Sequence, residues 1–190
     1  MTKYKQIIFD VGGVLIEWKP HTFPADVKGV FQTALWGAHD AGVLSRLEVI
    51  EKLPETYDRE KFRQFVNNLH RYLGVVPEMV ELFHHIKKQG LRTYILSNMS
   101  REMYRELYAM HDFFHHADGQ IISAHVGTIK PFAAIYETLL TTYGLEKEEC
   151  LFIDDLEENV AAAQRIGIDG VVCKNPADTK AEILRRLQLV

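Results

Sequence analysis

Four short stretches carry side chains that could act together on a phosphate ester: Asp10, followed by Gly12 and Gly13; Ser97 with Asn98; Lys130; and the pair Asp154 and Asp155. A carboxylate can attack phosphorus, an ammonium and a hydroxyl can hold a phosphate, and clustered carboxylates can hold a hard divalent cation. Charge makes the set specific. Asp10, Asp154 and Asp155 would bring three negative charges, and three carboxylates a few ångströms apart do not all stay ionised unaided. Mg²⁺ together with Lys130 offsets them. A phosphate dianion could then be bound by the metal, Lys130, the Ser97 hydroxyl and the N–H groups of the Gly12-Gly13 turn. Asp10 would be the nucleophile, forming an aspartyl-phosphate that water hydrolyses, and the glycines let the backbone approach the phosphoryl oxygens.

These residues matter only if the chain brings them to one place. Short apolar runs ending in polar residues, at 6–10, 93–97, 120–123, 151–154 and 170–173, predict buried parallel strands. Helical periodicity lies between most of them. Pro77 suits a first turn, Met79, Leu82, Phe83 and Ile86 share a face, and Gly90 suits the end. Pro131 opens a second helix, with Ile135, Leu139 and Leu140 on one face. Leu156, Val160, Ala163 and Ile166 mark a third, and Thr179 with Glu182 reads as a capping box for the last. Strand alternating with helix implies an α/β fold, a doubly wound parallel sheet, and ligands of such sheets bind at the carboxyl ends of the strands. Asp10, Ser97 and Asp154 end three of those strands.

Residues 18–76 break the alternation, with helical spacing and interleaved aromatics and charges. Ser45 with Glu48 forms a capping box for a helix ended by Pro54, and residues 40–44 read as a turn. Phe62, Phe65, Val66, Leu69 and Leu73 keep helical spacing up to Gly74. The expected organisation is a core of 1–17 and 77–190 with a small helical cap, 18–76, inserted after the first strand. Trp18, Trp36, Phe23 and Phe31 are expected to pack that cap.

The segments at 7–15, 94–98, 123–131 and 151–159 resemble, in order, the four motifs of the haloacid dehalogenase-like hydrolase superfamily. The stretch from Trp36 to Ser45, containing His39-Asp40-Ala41-Gly42, is similar to the subgroup of bacterial sugar-1-phosphate phosphatases. The resemblance implies Asp10 as nucleophile and metal ligand, the Gly12 carbonyl and Asp155 as further ligands, and Asp154 as a direct or water-mediated one. It implies that Ser97, Asn98 and Lys130 hold the phosphate and that Asn159 braces the metal loop. Phosphatases of the superfamily usually carry a second aspartate two residues after the nucleophile, acting as general acid; this chain has Gly12 there, as the sugar-1-phosphate subgroup does. Glu17, His21, His39 and Asp40 are candidate substitutes, and aryl or anomeric phosphates are the expected substrates.

Composition sets the outer bounds. With 190 residues, 47% hydrophobic, 25% charged and a net charge of −4, the chain reads as an ordinary globular protein with no electrostatic footprint for nucleic acid or an anionic membrane. No apolar run reaches a membrane span, and the residues before Asp10 contain no secretory h-region, so a cytoplasmic monomer or weak homodimer is expected. Cys150 and Cys173 lie in apolar runs and read as reduced, buried thiols. Nine histidines, including His84, His85, His111, His115 and His116, show no fixed metal-ligand set and are expected to hold no zinc. The expected activity is a Mg²⁺-dependent phosphatase acting on a small, sugar-phosphate-like metabolite. The alternatives are a metal-independent dehalogenase using Asp10 on carbon, a receiver-like signalling module, or a non-catalytic phosphate-binding protein.

Overall fold

The computed structural model describes residues 2–189. Its five strands, β1 Gln6–Phe9, β2 Arg92–Ser97, β3 Gly119–Ile122, β4 Cys150–Asp154 and β5 Asp169–Val172, form one parallel sheet in the order β3-β2-β1-β4-β5. All five expected strands are present, within a residue or so of the expected ends. β1 is central, in register with β2 through Phe9 and Ile95 and with β4 through Phe9 and Ile153. Its Ile7, Ile8 and Phe9 are fully buried because helices cover both faces. On one face Phe9 meets Phe83 edge to face, 5.3 Å between centroids, under α4 (Pro77–Lys88) and α10 (Pro176–Leu187). On the other, Ile8 packs with Tyr136, Leu139 and Phe152 beneath α8 (Ala133–Tyr143) and α9 (Glu157–Arg165). Both cysteines are buried free thiols, and burial pushes that of Cys150 up to about 12. Among the described residues no helix is long and apolar enough to cross a membrane.

Two helix starts differ from the sequence expectation. The last helix begins at Pro176, capped by Asn175, whose side-chain oxygen accepts from the Ala177 and Asp178 N–H groups. Thr179 lies a turn inside, buried, because proline at the first position and asparagine before it are the stronger start signal. The helix expected from Pro131 begins at Ala133, since residues 127–132 form the turn that carries Lys130 to the sheet.

Between β1 and β2 the chain forms α1 (Ala34–Asp40), α2 (Arg46–Lys52) and α3 (Arg59–Asn68) with short 3-10 turns. Ser45 and Glu48 make the expected reciprocal capping box. The segment expected as a turn from residue 40 begins one residue later, Asp40 being the last residue of α1. Val30, Val49, Ile50, Leu53, Phe62 and Val66 enclose a small apolar centre here, while Leu69, Leu73 and Val76 already belong to the sheet's core. The stems leading in and out are zipped together: Glu17 N–H donates to the Gly74 carbonyl at 2.8 Å and Val76 N–H to that of Leu15 at 2.9 Å. The insertion rests on α5 (Arg101–Met110) through Arg46, whose guanidinium pairs with both Glu106 oxygens at 2.8 Å.

Candidate active site

Because β1, β2 and β4 are adjacent and parallel, their carboxyl ends deliver Asp10, Ser97 and Asp154 to one rim. The chain leaves β1 towards β2 on one side and returns to β4 on the other, so this rim is the topological switch point where open sheets bind ligands. The Asp10 N–H closes the ladder on the Ile153 carbonyl at 2.9 Å. Asp10, Asp154 and Asp155 each offer an oxygen within 4.8 Å of the others.

Lys130 arrives from the turn before α8 and is buried among them. Its ammonium lies 2.8 Å from Asp10 Oδ1 and 2.6 Å from Asp154 Oδ2, and donates to the Leu96 carbonyl at 3.0 Å. Burial works against the charged amine, but the two carboxylates outweigh it and hold its pKa above the ordinary lysine value. The same burial raises Asp10 to about 7, against the pull of Lys130 and with a further push from Asp154. Asp155 is raised to about 6 by burial and by Asp154.

The remaining expected site residues divide. Ser97 is buried and lines the crevice beside Asp10. Asn98 also lines it, but its side-chain amide is engaged with the Lys130 backbone: Nδ2 donates to the Lys130 carbonyl at 3.0 Å and Oδ1 accepts the Lys130 N–H at 2.7 Å. Its side-chain amide therefore fixes the lysine. Asp154 is fully buried and already satisfied, with Oδ1 accepting from Leu156 N–H and Asn159 Nδ2, both at 2.9 Å, and Oδ2 from Lys130. Asn159 thus braces the acidic loop from α9. Gly13 contributes by what it lacks. Its φ is +75°, and a Cβ there would stand 2.5 Å from Asp155 Oδ2, so only glycine lets that carboxylate come so close. Its N–H is spent on the Ile16 carbonyl at 2.7 Å, leaving Gly12 as the donor of the pair.

Above these groups opens a crevice of about 370 Å³. Its walls are mostly apolar: Trp18, Phe31 and Trp36 from the insertion, Leu73 from its exit, and Met103 and Leu107 from α5. The aromatics pack on one another edge to face, Phe31 at 5.7 Å from Trp18 and 4.5 Å from Trp36, so they serve the packing expected of them and also line the site. Phe23 stays behind them, 5.2 Å from Phe31. This second role had no sequence signal, since aromatics at helical spacing read the same whether or not a cavity lies beside them.

Of the four candidate substitute acids, Asp40 alone lines this crevice. Glu17 is exposed and paired with Lys19 at 2.8 Å, and His21 is exposed. His39 is buried with Nδ1 2.9 Å from the Leu44 carbonyl, facing a different groove. Elsewhere, His84, Asp112 and His116 place ligating atoms within 4.8 Å of one another, which corrects the expectation that the histidines lack common partners. Asp112 and His116 are exposed, and the imidazoles of His84 and His116 lie 3.5 and 3.7 Å from the Asp112 carboxylate.

The family model of the haloacid dehalogenase-like hydrolases matches residues 4–167. Over its whole length the chain is 29% identical to the sesquiterpene phosphatase astK of Aspergillus oryzae, covering 98% of that protein. It is 28% identical, over 96% of its length, to part of the drimenol cyclase drtB of Aspergillus calidoustus, spanning 36% of that longer chain. Its fold superposes with a TM-score of 0.72 on a haloacid dehalogenase family enzyme of Bacteroides thetaiotaomicron determined with magnesium and inorganic phosphate, at 18% identity over 90% of this chain and 94% of the other.

Proposed function

Since the chain belongs to the haloacid dehalogenase-like hydrolase family, we propose that it is a Mg²⁺-dependent phosphatase in which Asp10 takes the phosphoryl group of a small organic phosphate. The observation that carries this reading is the convergence of Asp10, Asp155, Asp154 and Lys130 at the floor of one crevice. The donor set suits a hard cation, being entirely carboxylate and carbonyl oxygen, and the buried Asp10 Oδ1 has no hydrogen-bond donor beyond its charge pairing with Lys130. Asp10, Asp155 and the Gly12 carbonyl would hold it, with Asp154 keeping the loop and Lys130 in place. When bound, the cation offsets the carboxylate charge and that of the phosphoryl oxygens.

The chain's own groups do the rest. Lys130, held by Asp154 and clamped by Asn98, favours the ionised form of Asp10 against its burial and presents a fixed positive charge to an entering phosphate. Ser97 and the Gly12 N–H supply neutral donors. Asp10 attacks phosphorus, the ester oxygen leaves, and water cleaves the resulting acyl phosphate. The helical segment 18–76 acts as a cap over the core of 1–17 and 77–190, setting which organic group fits. An apolar wall of Trp18, Phe31, Trp36, Leu73 and Met103 suits a hydrocarbon or aryl phosphate. A sugar phosphate would lay most of its hydroxyls against apolar side chains that offer few partners. The name of the Aspergillus oryzae relative, a sesquiterpene phosphatase, supports the same direction.

A panel comprising an isoprenyl phosphate, p-nitrophenyl phosphate, a sugar 1-phosphate and a 2-haloacid, assayed with Mg²⁺ and with EDTA, tests this. The expected outcome is hydrolysis of the first two, lost in EDTA and in Asp10→Asn, with kcat/KM for the isoprenyl ester at least about tenfold above that for the sugar ester. Metal-independent dehalogenation, or turnover that survives Asp10→Asn, overturns it.

A further inference from the structure

An alkoxide leaves phosphorus slowly unless it is protonated as the bond breaks. Two residues after the nucleophile no side chain can supply that proton: Gly12 has none, and a Cβ there would touch Cβ and Cγ of Trp18 at 3.4 and 3.5 Å. Asp154 is consumed by its three donors and Asp155 faces the Gly13 turn. One carboxyl group on the crevice remains. We propose that Asp40, at the end of α1, is the catalytic acid and base of this site, a role that rests on the phosphatase reading above.

In the first half-reaction an Asp10 oxygen forms a bond to phosphorus, the bond from phosphorus to the ester oxygen breaks, and the Asp40 proton passes to that oxygen, releasing a neutral alcohol. In the second, the Asp40 carboxylate takes a proton from water as the water oxygen bonds to phosphorus and the bond from Asp10 to phosphorus breaks. Inorganic phosphate leaves, and both aspartates return to their starting states.

A residue borne by an insertion must be fixed to the sheet to act in this way, and Asp40 is. Its carbonyl accepts from Ser123 Oγ at the end of β3, and the same Oγ accepts the Met99 N–H at 2.8 Å, tying α1 to the loop after β2. Two residues on, Gly42 has φ +73° and lies so close to the core that a Cβ would stand 2.5 Å from the Ala124 carbonyl oxygen, while Arg101 Nη1 donates to the Gly42 carbonyl at 2.9 Å. Burial, with a smaller push from Asp10, also raises the Asp40 carboxyl to about 7, so that it holds a proton near neutrality.

The test is the rate of phosphoenzyme formation, followed by rapid quench in the Mg²⁺-loaded protein with one alkyl and one aryl phosphate. Asp40→Asn keeps the shape and removes the proton. It is expected to slow phosphorylation by the alkyl ester about 10²–10³-fold and by the aryl ester less than about fivefold, with slow hydrolysis of the phosphoenzyme from either. An equal loss for both esters, as a structural role would give, or no loss for either, overturns the proposal. Should Asp40→Asn fail to fold, the native protein decides: a shallow dependence of phosphorylation on leaving-group pKa supports the acid, and a steep one overturns it. Asp10→Asn run alongside separates the two levels, since phosphoenzyme in that variant refutes the nucleophile rather than the acid.

Discussion

The floor and the walls of the crevice are built by opposite means. The floor consists of charged groups at the carboxyl ends of β1 and β4 and on the turn before α8, two of them held by several partners: Lys130 by Asp10, Asp154 and Leu96, and Asp154 by Lys130, Leu156 and Asn159. The walls are large apolar side chains on helices and on the loops that join them, several only partly buried, and the aromatic ones touch one another edge to face. A buried charge cannot move without leaving its partner uncompensated, whereas an aromatic wall can be exchanged for another of similar volume at modest cost. On the function proposed above, reaction type would be set by the sheet, and selection of the organic group by the insertion together with α5.

That contrast can be broken at the floor first. Lys130→Met strips the compensation from Asp10 and Asp154 together, and breaking such a buried pair costs about 3–5 kcal/mol. A loss of unfolding free energy in that range by urea denaturation, together with turnover reduced at least about 10³-fold, is expected. A fully stable Lys130→Met would show that the floor tolerates change as the walls do. At the walls, Trp36→Ala should raise KM for an isoprenyl phosphate about 10–50-fold while leaving kcat for p-nitrophenyl phosphate within about threefold. An equal effect on both substrates in steady-state assays would place Trp36 with the floor.

The smallest effect expected is a dependence on pH. Asp10 and Asp155 have folded pKa values of about 7 and about 6, against an ordinary 3.8. Groups raised in this way bind protons more tightly in the folded state, so the metal-free protein loses stability as pH rises from near 4 to near 7, and no further above that. Mg²⁺ must displace those protons to bind. Saturating Mg²⁺ should therefore raise Tm by about 5 °C at pH 8 and by much less at pH 5, measured by differential scanning calorimetry. Equal shifts at both pH values would mean that the carboxylates do not hold the metal.

Legibility follows the same division. Strand-ending aspartates and the serine could be read from sequence because a buried parallel strand is an apolar run that stops where its polar residue begins, and the sheet's order places those stops together; Lys130 could be read from its place just before Pro131, at the mouth of a helix on the same side. The role of Asn98 could not, since a side-chain amide that clamps Lys130 looks the same in sequence as one that faces a ligand. Thr179 with Glu182 imitated a capping box inside a helix that Asn175 and Pro176 had already begun. Asp40 stood among four equal candidates until Ser123 and Gly42 fixed its position, because what sets it in the crevice is packing between residues some 80 positions apart, 40 and 123. The walls were least legible of all, as no periodicity separates a core aromatic from one that borders a cavity.

The zipped stems of the insertion bear on how the sheet comes together. Gln6 pairs with Arg92, a separation at which loop closure alone makes the first strand pairing slow. Once residues 15–17 have met 74–76, the ends of the excursion are tethered, and β1 reaches β2 across two short tails and α4 instead of the full contour. The effective contact order of the central strand pair is then far lower than its residue numbers suggest, so a change that unzips the stems should slow folding more than it speeds unfolding.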